Sequence, residues 1–331
     1  MPNPRSGQSG IGGRKCLDNL THSLVGALLG QAGLKRKTGL AMPALIIGAN
    51  LPDVDAACLF WLEGVEHLGF RRGITHGPPA LVLLPLILAG LLYGYDRWRA
   101  NRGKRPEDRL PVSFKWLFLL SFIGCLTHPA LDWLNVYGIR LLEPFSSQWF
   151  YGDTLFIIDL WLWLLMGLAT WFSLRREKRG GSWTRPAQLA LVVALLYIGG
   201  NWLVTRDVER MDSLNIAVRE TIASPVPFDP RTRDVILVNE EGRHEILPGF
   251  RRQARGEVEY LGDAWLPSCD LDGAARTSEE VRAFIFWSRA LFVERRENGS
   301  LWLRDARFVD PRAGDRFAVQ IPADTCTQFF D

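Results

Sequence analysis

The sequence predicts an α-helical, polytopic membrane domain of about five to six apolar helices, followed by a small, mostly β extramembrane domain. Three observations predict it. Long apolar runs are confined to residues 20–205, the loops between them are alternately rich and poor in basic residues, and from 206 onward charge mixes with short apolar segments. Averaged over 331 residues, the 47% hydrophobic content and net charge of +3 resemble those of an ordinary soluble protein. The distribution along the chain is what separates two regions with different solvents.

The clearest spans are 78–95, 116–134, 155–174 and 187–204, each close to the ~20 residues that cross a hydrocarbon core. A fifth, 39–62, is interrupted by Pro43 and by Asn50-Leu-Pro-Asp53-Val-Asp55, and a first stretch, 20–34, is short for a crossing. Trp and Tyr near the ends of these runs argue against helices buried in a soluble core.

Orientation follows from the basic loops. Lys35, Arg36 and Lys37 form one cluster, Arg97 to Lys115 a second, and Arg175 to Arg185 a third. All three are expected in the cytoplasm. The opposite loops, 63–75 and 136–153, carry only Arg71, Arg72 and Arg140. With alternating spans the C-terminal region emerges on the far side of the membrane, periplasmic or extracellular.

Residues 1–17 are polar and glycine-rich, the character of a disordered leader without the apolar core of a signal peptide. The membrane domain is expected over 18–205 and the extracytoplasmic, mainly β domain over 206–331. Within the latter, 234–239, 256–261, 301–304 and 316–321 read as short strands bounded by turn residues, and Ser278 opens a helix reaching about Ala290. Of five cysteines, Cys58 and Cys125 fall in apolar segments as buried thiols, and Cys269 and Cys326 are the pair able to bridge in an oxidising compartment. No repeat and no catalytic signature stand out in this domain.

The chemistry lies upstream. Three of the five histidines, His22, His76 and His128, sit at edges of apolar segments, where ionisable groups are expensive and usually functional. Asp53 and Asp55 flank Val54 deep enough in a span to need a compensating cation. In His128-Pro-Ala-Leu-Asp132 the imidazole and carboxylate share one helix face. The predicted topology puts residues from four segments at one membrane level, so a shared metal site explains them better than separate capping roles. His67 and His244 read as surface residues.

These residues carry a resemblance. Asp18-Asn-Leu-Thr-His22-Ser-Leu-Val-Gly26, Asn50-Leu-Pro-Asp53-Val-Asp55, Arg72-Gly-Ile-Thr-His76, His128-Pro-Ala-Leu-Asp132-Trp-Leu-Asn135-Val-Tyr-Gly138, and Pro144-Phe145 leading to Gly152-Asp153 and Ile158-Asp159 resemble the membrane-bound metal-dependent hydrolases of the YdjM type, also described as LexA-binding inner-membrane-associated hydrolases. The resemblance runs from about 18 to 175. Ala223-Ser-Pro-Val-Pro-Phe228 and Phe286-Trp-Ser-Arg289 resemble the longer members. At greater distance the pattern is similar to zinc-dependent phospholipase C and the P1-type nucleases. It implies a helical, metal-binding hydrolase domain.

Two departures qualify the carry-over. No histidine lies between His128 and His244, where the phospholipase pattern has more, so Asp153 or Asp159 is the oxygen ligand that would substitute; and His22 follows a long leader where phospholipases use an N-terminal amine.

The expected ligand set is therefore His22, Asp53, Asp55, His76, His128, Asp132 and Asp159, holding one or two divalent ions, zinc first and manganese second. Asp53 or Asp55 would orient water or act as base, and Arg72, Asn135, Arg140 and Asp153 would bind substrate. The expected reaction is hydrolysis of a phosphoester, lipid or lipid-linked, by metal-activated water at the outer face of the inner membrane. Membrane lipids are the expected partners. Nucleic acid is a second substrate class on family grounds alone, since the charge balance gives no strong signal for it. A non-catalytic membrane protein, an ion path or a regulatory scaffold using the cluster structurally, is the alternative.

Overall fold

The computed structural model describes residues 19–210, 218–239, 246–253, 258–260, 269–309 and 314–326. The leader and His244 lie outside them. The first half is helical: α1 (Asn19–Gln31), α2 (Ala41–Gly48), a 3-10 helix (Pro52–Phe60), α3 (Glu66–Phe70), α4 (Pro78–Asn101), α5 (Phe114–Trp133), α6 (Leu160–Lys178) and α7 (Thr184–Glu209).

Three of these, α4, α5 and α7, are long and apolar enough to cross a membrane. The bent pair of α2 and the 3-10 helix, meeting at 58°, makes a fourth if counted as one span. The expected count of five to six is not confirmed, for reasons visible in the elements. α1 has 13 residues, about 20 Å at 1.5 Å per residue. α6 has 19, but its last turn carries Arg175, Arg176 and Lys178, which leaves about 22 Å of apolar helix against a core of about 30 Å. Pro52 stands at the start of the 3-10 helix and breaks the run after α2.

The long helices turn leucine and valine outward. Leu83, Ile87 and Leu91 of α4 and Leu189, Leu195, Leu196 and Leu203 of α7 are exposed, the surface expected where lipid is the solvent. Inside, small residues bring backbones together. A Cβ on Gly26 of α1 would lie 2.7 Å from the Leu45 carbonyl oxygen, and one on Gly124 of α5 would lie 2.6 Å from the same atom. Only glycine lets both helices close on α2. That double approach places the N-terminal end of α1 and the C-terminal end of α5 beside the end of α2.

Beyond α7 come two antiparallel sheets, β1-β2-β3-β4 and β5-β6-β7. The first is β1 (Val218–Val226), β2 (Asp229–Asn239), β3 (Ile246–Gln253) and β4 (Val258–Tyr260); the second is β5 (Leu291–Arg295), β6 (Leu301–Asp305) and β7 (Ala318–Ile321). Between the sheets lie α8 (Leu271–Thr277) and α9 (Glu279–Trp287), and the Ser278 hydroxyl accepts from Val281 N at the start of α9. The expected strands and the Ser278 helix are present, while α8, β1, β3 and β5 add elements to the expected set. Cys269 and Cys326 form a disulfide, and Cys58 and Cys125 are buried thiols.

The core of this domain is shared. Phe284 and Trp287 of α9, Leu303 and Val319 pack with Val65, Leu68, Val136 and Tyr137 from the loops of the helical half. An ion pair and a buried hydrogen bond cross the same boundary: Arg289 Nη1 donates to Asp153 (2.6 Å), and Arg233 Nη2 donates to the Asn201 carbonyl (3.1 Å).

Candidate metal centre

Four helix ends meet on the side of the bundle where the C-terminal domain sits. His22 comes from the first turn of α1, Asp53 from the 3-10 helix after α2, His76 from just before α4, and His128 with Asp132 from the last turns of α5. Local hydrogen bonds fix each entry. Trp163 Nε1 donates to Thr21 Oγ1 (2.7 Å), and Asn50 Nδ2 donates to Ser23 Oγ (3.0 Å), so the polar residues flanking His22 hold α1 against α6 and α2.

The cluster is buried throughout: His22, His76, His128 and Asp132 are each at most 1% exposed. Asp132 is its centre. Its Oδ1 lies 3.5 Å from His22 Nε2, and its Oδ2 lies 3.3 Å from His76 Nε2 and 3.4 Å from His128 Nε2. Asp53 Oδ1 is 3.8 Å from His128 Nε2. The rings of His22 and His128 stack at 3.7 Å. Two groups have the spacing to hold an ion, His22 with Asp53 and His128, and His76 with His128 and Asp132.

Most of the atoms facing inward make no hydrogen bond. Asp53 Oδ2, His76 Nε2, His128 Nε2 and both oxygens of Asp132 are buried without a hydrogen bond of good geometry, an arrangement that costs free energy unless something cationic sits among them. Their outward atoms are engaged. His128 Nδ1 is 2.7 Å from the Ala49 carbonyl, and His76 Nδ1 is 3.0 Å from the Thr75 hydroxyl, which reaches Asp55 Oδ2 at 3.3 Å. Such bonds set the tautomer that leaves Nε2 a lone pair.

Asp55 stands one layer out. Its Oδ2 accepts from Arg72 N (2.8 Å) and Thr75, and its Oδ1 from Arg71 Nε (3.4 Å). Arg71 Nη2 also donates to Asp53 Oδ1 at 2.7 Å. Arg72, buried and at a left-handed φ of 56°, aims Nη2 at Asp132 Oδ1 (3.0 Å) and donates from Nη1 to Asn135 Oδ1 (2.8 Å) over the ring of Tyr137. Three carboxylates, Asp53, Asp55 and Asp132, thus face two guanidiniums, Arg71 and Arg72. One negative charge is left over, and it favours a cation.

The donor set fits a divalent metal. A tetrahedron of bonds about 2.0–2.1 Å long has edges of about 3.3–3.4 Å, and the spacings around Asp132 are 3.3 to 3.5 Å. Asp159 belongs to neither group: its oxygens accept from Leu162 N and Tyr197 Oη, capping α6. Asp153 serves Arg289, and Arg140 Nη2 donates to the Gly69 and Phe70 carbonyls. Asn135 supports Arg72. Thr75 and Ala49 escaped the sequence reading; Thr75 stands beside His76 in a quoted motif, whereas a backbone carbonyl leaves no residue-type signal.

Residues 17–208 match the family described as YdjM inner membrane protein. The chain belongs to that family. With its apolar helices, membership makes it an inner membrane protein. It is also 26% identical over 297 residues to the uncharacterized protein YfhP of Bacillus subtilis (strain 168), with 82% of this chain and 80% of that one covered. Coverage that large extends past the family segment into the C-terminal domain. No solved structure matches. Every inward-facing residue of the cluster lies inside the YdjM segment.

Proposed function

We propose that this YdjM-family protein is a membrane-bound metal-dependent hydrolase of phosphoesters. The observation that carries the reading is the convergence of His76 Nε2, His128 Nε2 and Asp132 Oδ2, buried without a hydrogen bond, with His22 Nε2 and the Asp132 Oδ1 that also faces Arg72, at the spacing of a metal's coordination edges. His22, His76, His128 and Asp132 would hold the ion, with Asp53 at its margin. Three imidazoles and a carboxylate suit zinc.

A divalent ion held by these residues would supply Lewis acidity and lower the pKa of water toward ~7. The chain's own residues supply the rest. Asp53 Oδ2, buried and without a donor, is placed to take a proton from water. Asp55, with both oxygens engaged, positions Arg71, Arg72 and Thr75. Arg72 carries the planar donor pair that suits a phosphate.

Lipid or lipid-linked phosphoesters are the favoured substrates. Phe60 is 92% exposed and Phe145 77% exposed, and Ile74, two residues before His76, is also exposed. Such apolar side chains beside a phosphoester site favour an amphiphile delivered from the bilayer. A multi-pass arrangement with the C-terminal domain outside the cytoplasm is part of the reading. It is supported by the Cys269–Cys326 disulfide, typical of oxidising compartments, and by Lys37 over Trp116, Arg102 over Trp98 and Arg175 over Trp171 at the other end of the bundle.

The test is metal analysis of detergent-purified protein beside an Asp53→Ala/His128→Ala double variant. Stoichiometric transition metal that disappears in the variant is the expected result. Absence of metal from the wild type after reconstitution overturns the hydrolase reading in favour of an ion path or scaffold.

A further inference from the structure

The C-terminal domain lies outside the YdjM segment, yet two of its elements reach the residues that aim Arg72. The first is Arg307, buried and held by Asp305 through Nε (2.8 Å) and Nη2 (2.7 Å). Its remaining Nη1 donates to the Val136 carbonyl at 2.8 Å. Val136 lies between Asn135, which accepts from Arg72 Nη1, and Tyr137, whose ring is 4.6 Å from the Arg72 guanidinium. Asn135 Oδ1 also accepts from Tyr137 N (2.9 Å), so the three residues form one turn. Trp287 of α9 packs on the Tyr137 ring at 5.1 Å.

The second element is α9 itself, which packs on α3, the helix leading into Arg71 and Arg72. The fit is close: a Cβ on Gly69 would lie 3.2 Å from both Ala283 Cα and Cβ. Arg140 then ties the two loops to each other. Its Nη2 donates to the Gly69 and Phe70 carbonyls, its backbone N donates to the Arg72 carbonyl (2.9 Å), and its guanidinium lies 5.2 Å from the Phe286 ring of α9. Arg72 adopts a backbone conformation that non-glycine residues rarely hold, and such a conformation persists only where its surroundings over-determine it.

We propose that the C-terminal domain is the positioning element of the anion-binding side of this centre: Arg307 and α9 fix the 135–140 turn and the 69–73 loop so that Arg72 faces the oxygens of a bound phosphate. The inference rests on the metal-centre reading above. It assigns Arg307 as a positioning residue acting through Val136 and Asn135, and it gives the extramembrane domain a share in substrate recognition. The contacts of Arg307 and α9 reach the cluster only through Arg71 and Arg72, so phosphate binding is expected to respond to their loss more than metal binding does.

The experiment uses the full chain in detergent, measuring metal content and, by calorimetry on the metal-loaded protein, affinity for inorganic phosphate. Arg307→Met removes the bond to Val136, and Gly69→Ala wedges α3 from α9 without touching the first arm. Both are expected to keep metal at the wild-type ratio and to bind phosphate about tenfold more weakly, as loss of a well-placed charge-assisted hydrogen bond gives. Arg307→Lys is expected to recover part of the loss. Phosphate affinities within twofold of wild type in both variants overturn the inference, as does joint loss of metal and phosphate binding in both. A wild type that holds no metal overturns the hydrolase reading itself and this inference with it.

Discussion

His128 Nδ1 and the Ala49 carbonyl oxygen lie 2.7 Å apart, joining α5 to the end of α2. A carbonyl only accepts, so Nδ1 carries the proton and Nε2 carries the lone pair. His128 appears in both groups able to hold an ion, and a single lone pair serves one ion. The two groups are therefore two views of one site. We predict one transition metal per chain by elemental analysis of the loaded protein; a ratio of two would break the argument. His128→Ala is expected to lose the metal while the helical circular dichroism is retained.

Thr75 links His76 Nδ1 to Asp55 Oδ2 through one hydroxyl. Replacing it by valine keeps the shape and removes both hydrogen bonds. Partners of a ligating histidine typically contribute 10–100-fold in metal affinity. Thr75→Val is therefore expected to weaken metal binding by about tenfold, read by competition with a chelator of known affinity. Unchanged affinity would mean that His76 does not depend on Asp55 for its tautomer.

Arg72 reaches Asp132, Asn135 and the Gly138 carbonyl, with Tyr137 beneath it. Arg72→Lys preserves one charge and loses the planar fork, so it cannot serve Asp132 and Asn135 together. We expect the variant to keep its metal and to bind inorganic phosphate at least tenfold more weakly, since charged hydrogen bonds contribute about 1.5–3 kcal/mol. Equal phosphate affinity in the variant would remove Arg72 from the anion site.

Six residues of the candidate cluster were legible because a membrane leaves few reasons for histidine and aspartate to occur at helix edges. His22, Asp53, Asp55, His76, His128 and Asp132 all come together. Asp55 was legible as a member but not as a support, because its role depends on the backbone N–H of Arg72. The span count is unconfirmed where apolar runs meet charge: Arg175, Arg176 and Lys178 close the apolar run of α6. Asp153 and Arg140, expected to bind substrate as charged residues in site-side loops, have partners within the protein. Their partners, Arg289 for one and the Gly69 and Phe70 carbonyls for the other, come from 136 and about 70 positions away along the chain. Pairings so distant in sequence leave no periodic trace. The Cys269–Cys326 bridge was legible by elimination, as the other described cysteines fall in apolar helices.

Asp305 gives the C-terminal domain a measurable pH dependence. Burial alone would raise its carboxyl, but the Arg307 guanidinium, with the Ser288 hydroxyl and the Arg307 backbone N–H, outweighs burial and holds it at about 2, against an ordinary 3.8. A pKa lowered on folding means that the unfolded chain takes up the proton more readily. The resulting stability is fully present above about pH 4 and is lost as pH falls through 2. A shift of this size corresponds to about 2 kcal/mol. Asp153 works in the opposite sense, since burial raises its carboxyl despite Arg289. Comparison with Asp305→Asn cancels that contribution. In urea unfolding followed by tryptophan fluorescence, we expect the variant to be less stable than wild type by about 2 kcal/mol or more at pH 7. The gap should narrow between pH 4 and 2. A gap that stays constant over that window would show that Asp305 contributes packing rather than charge.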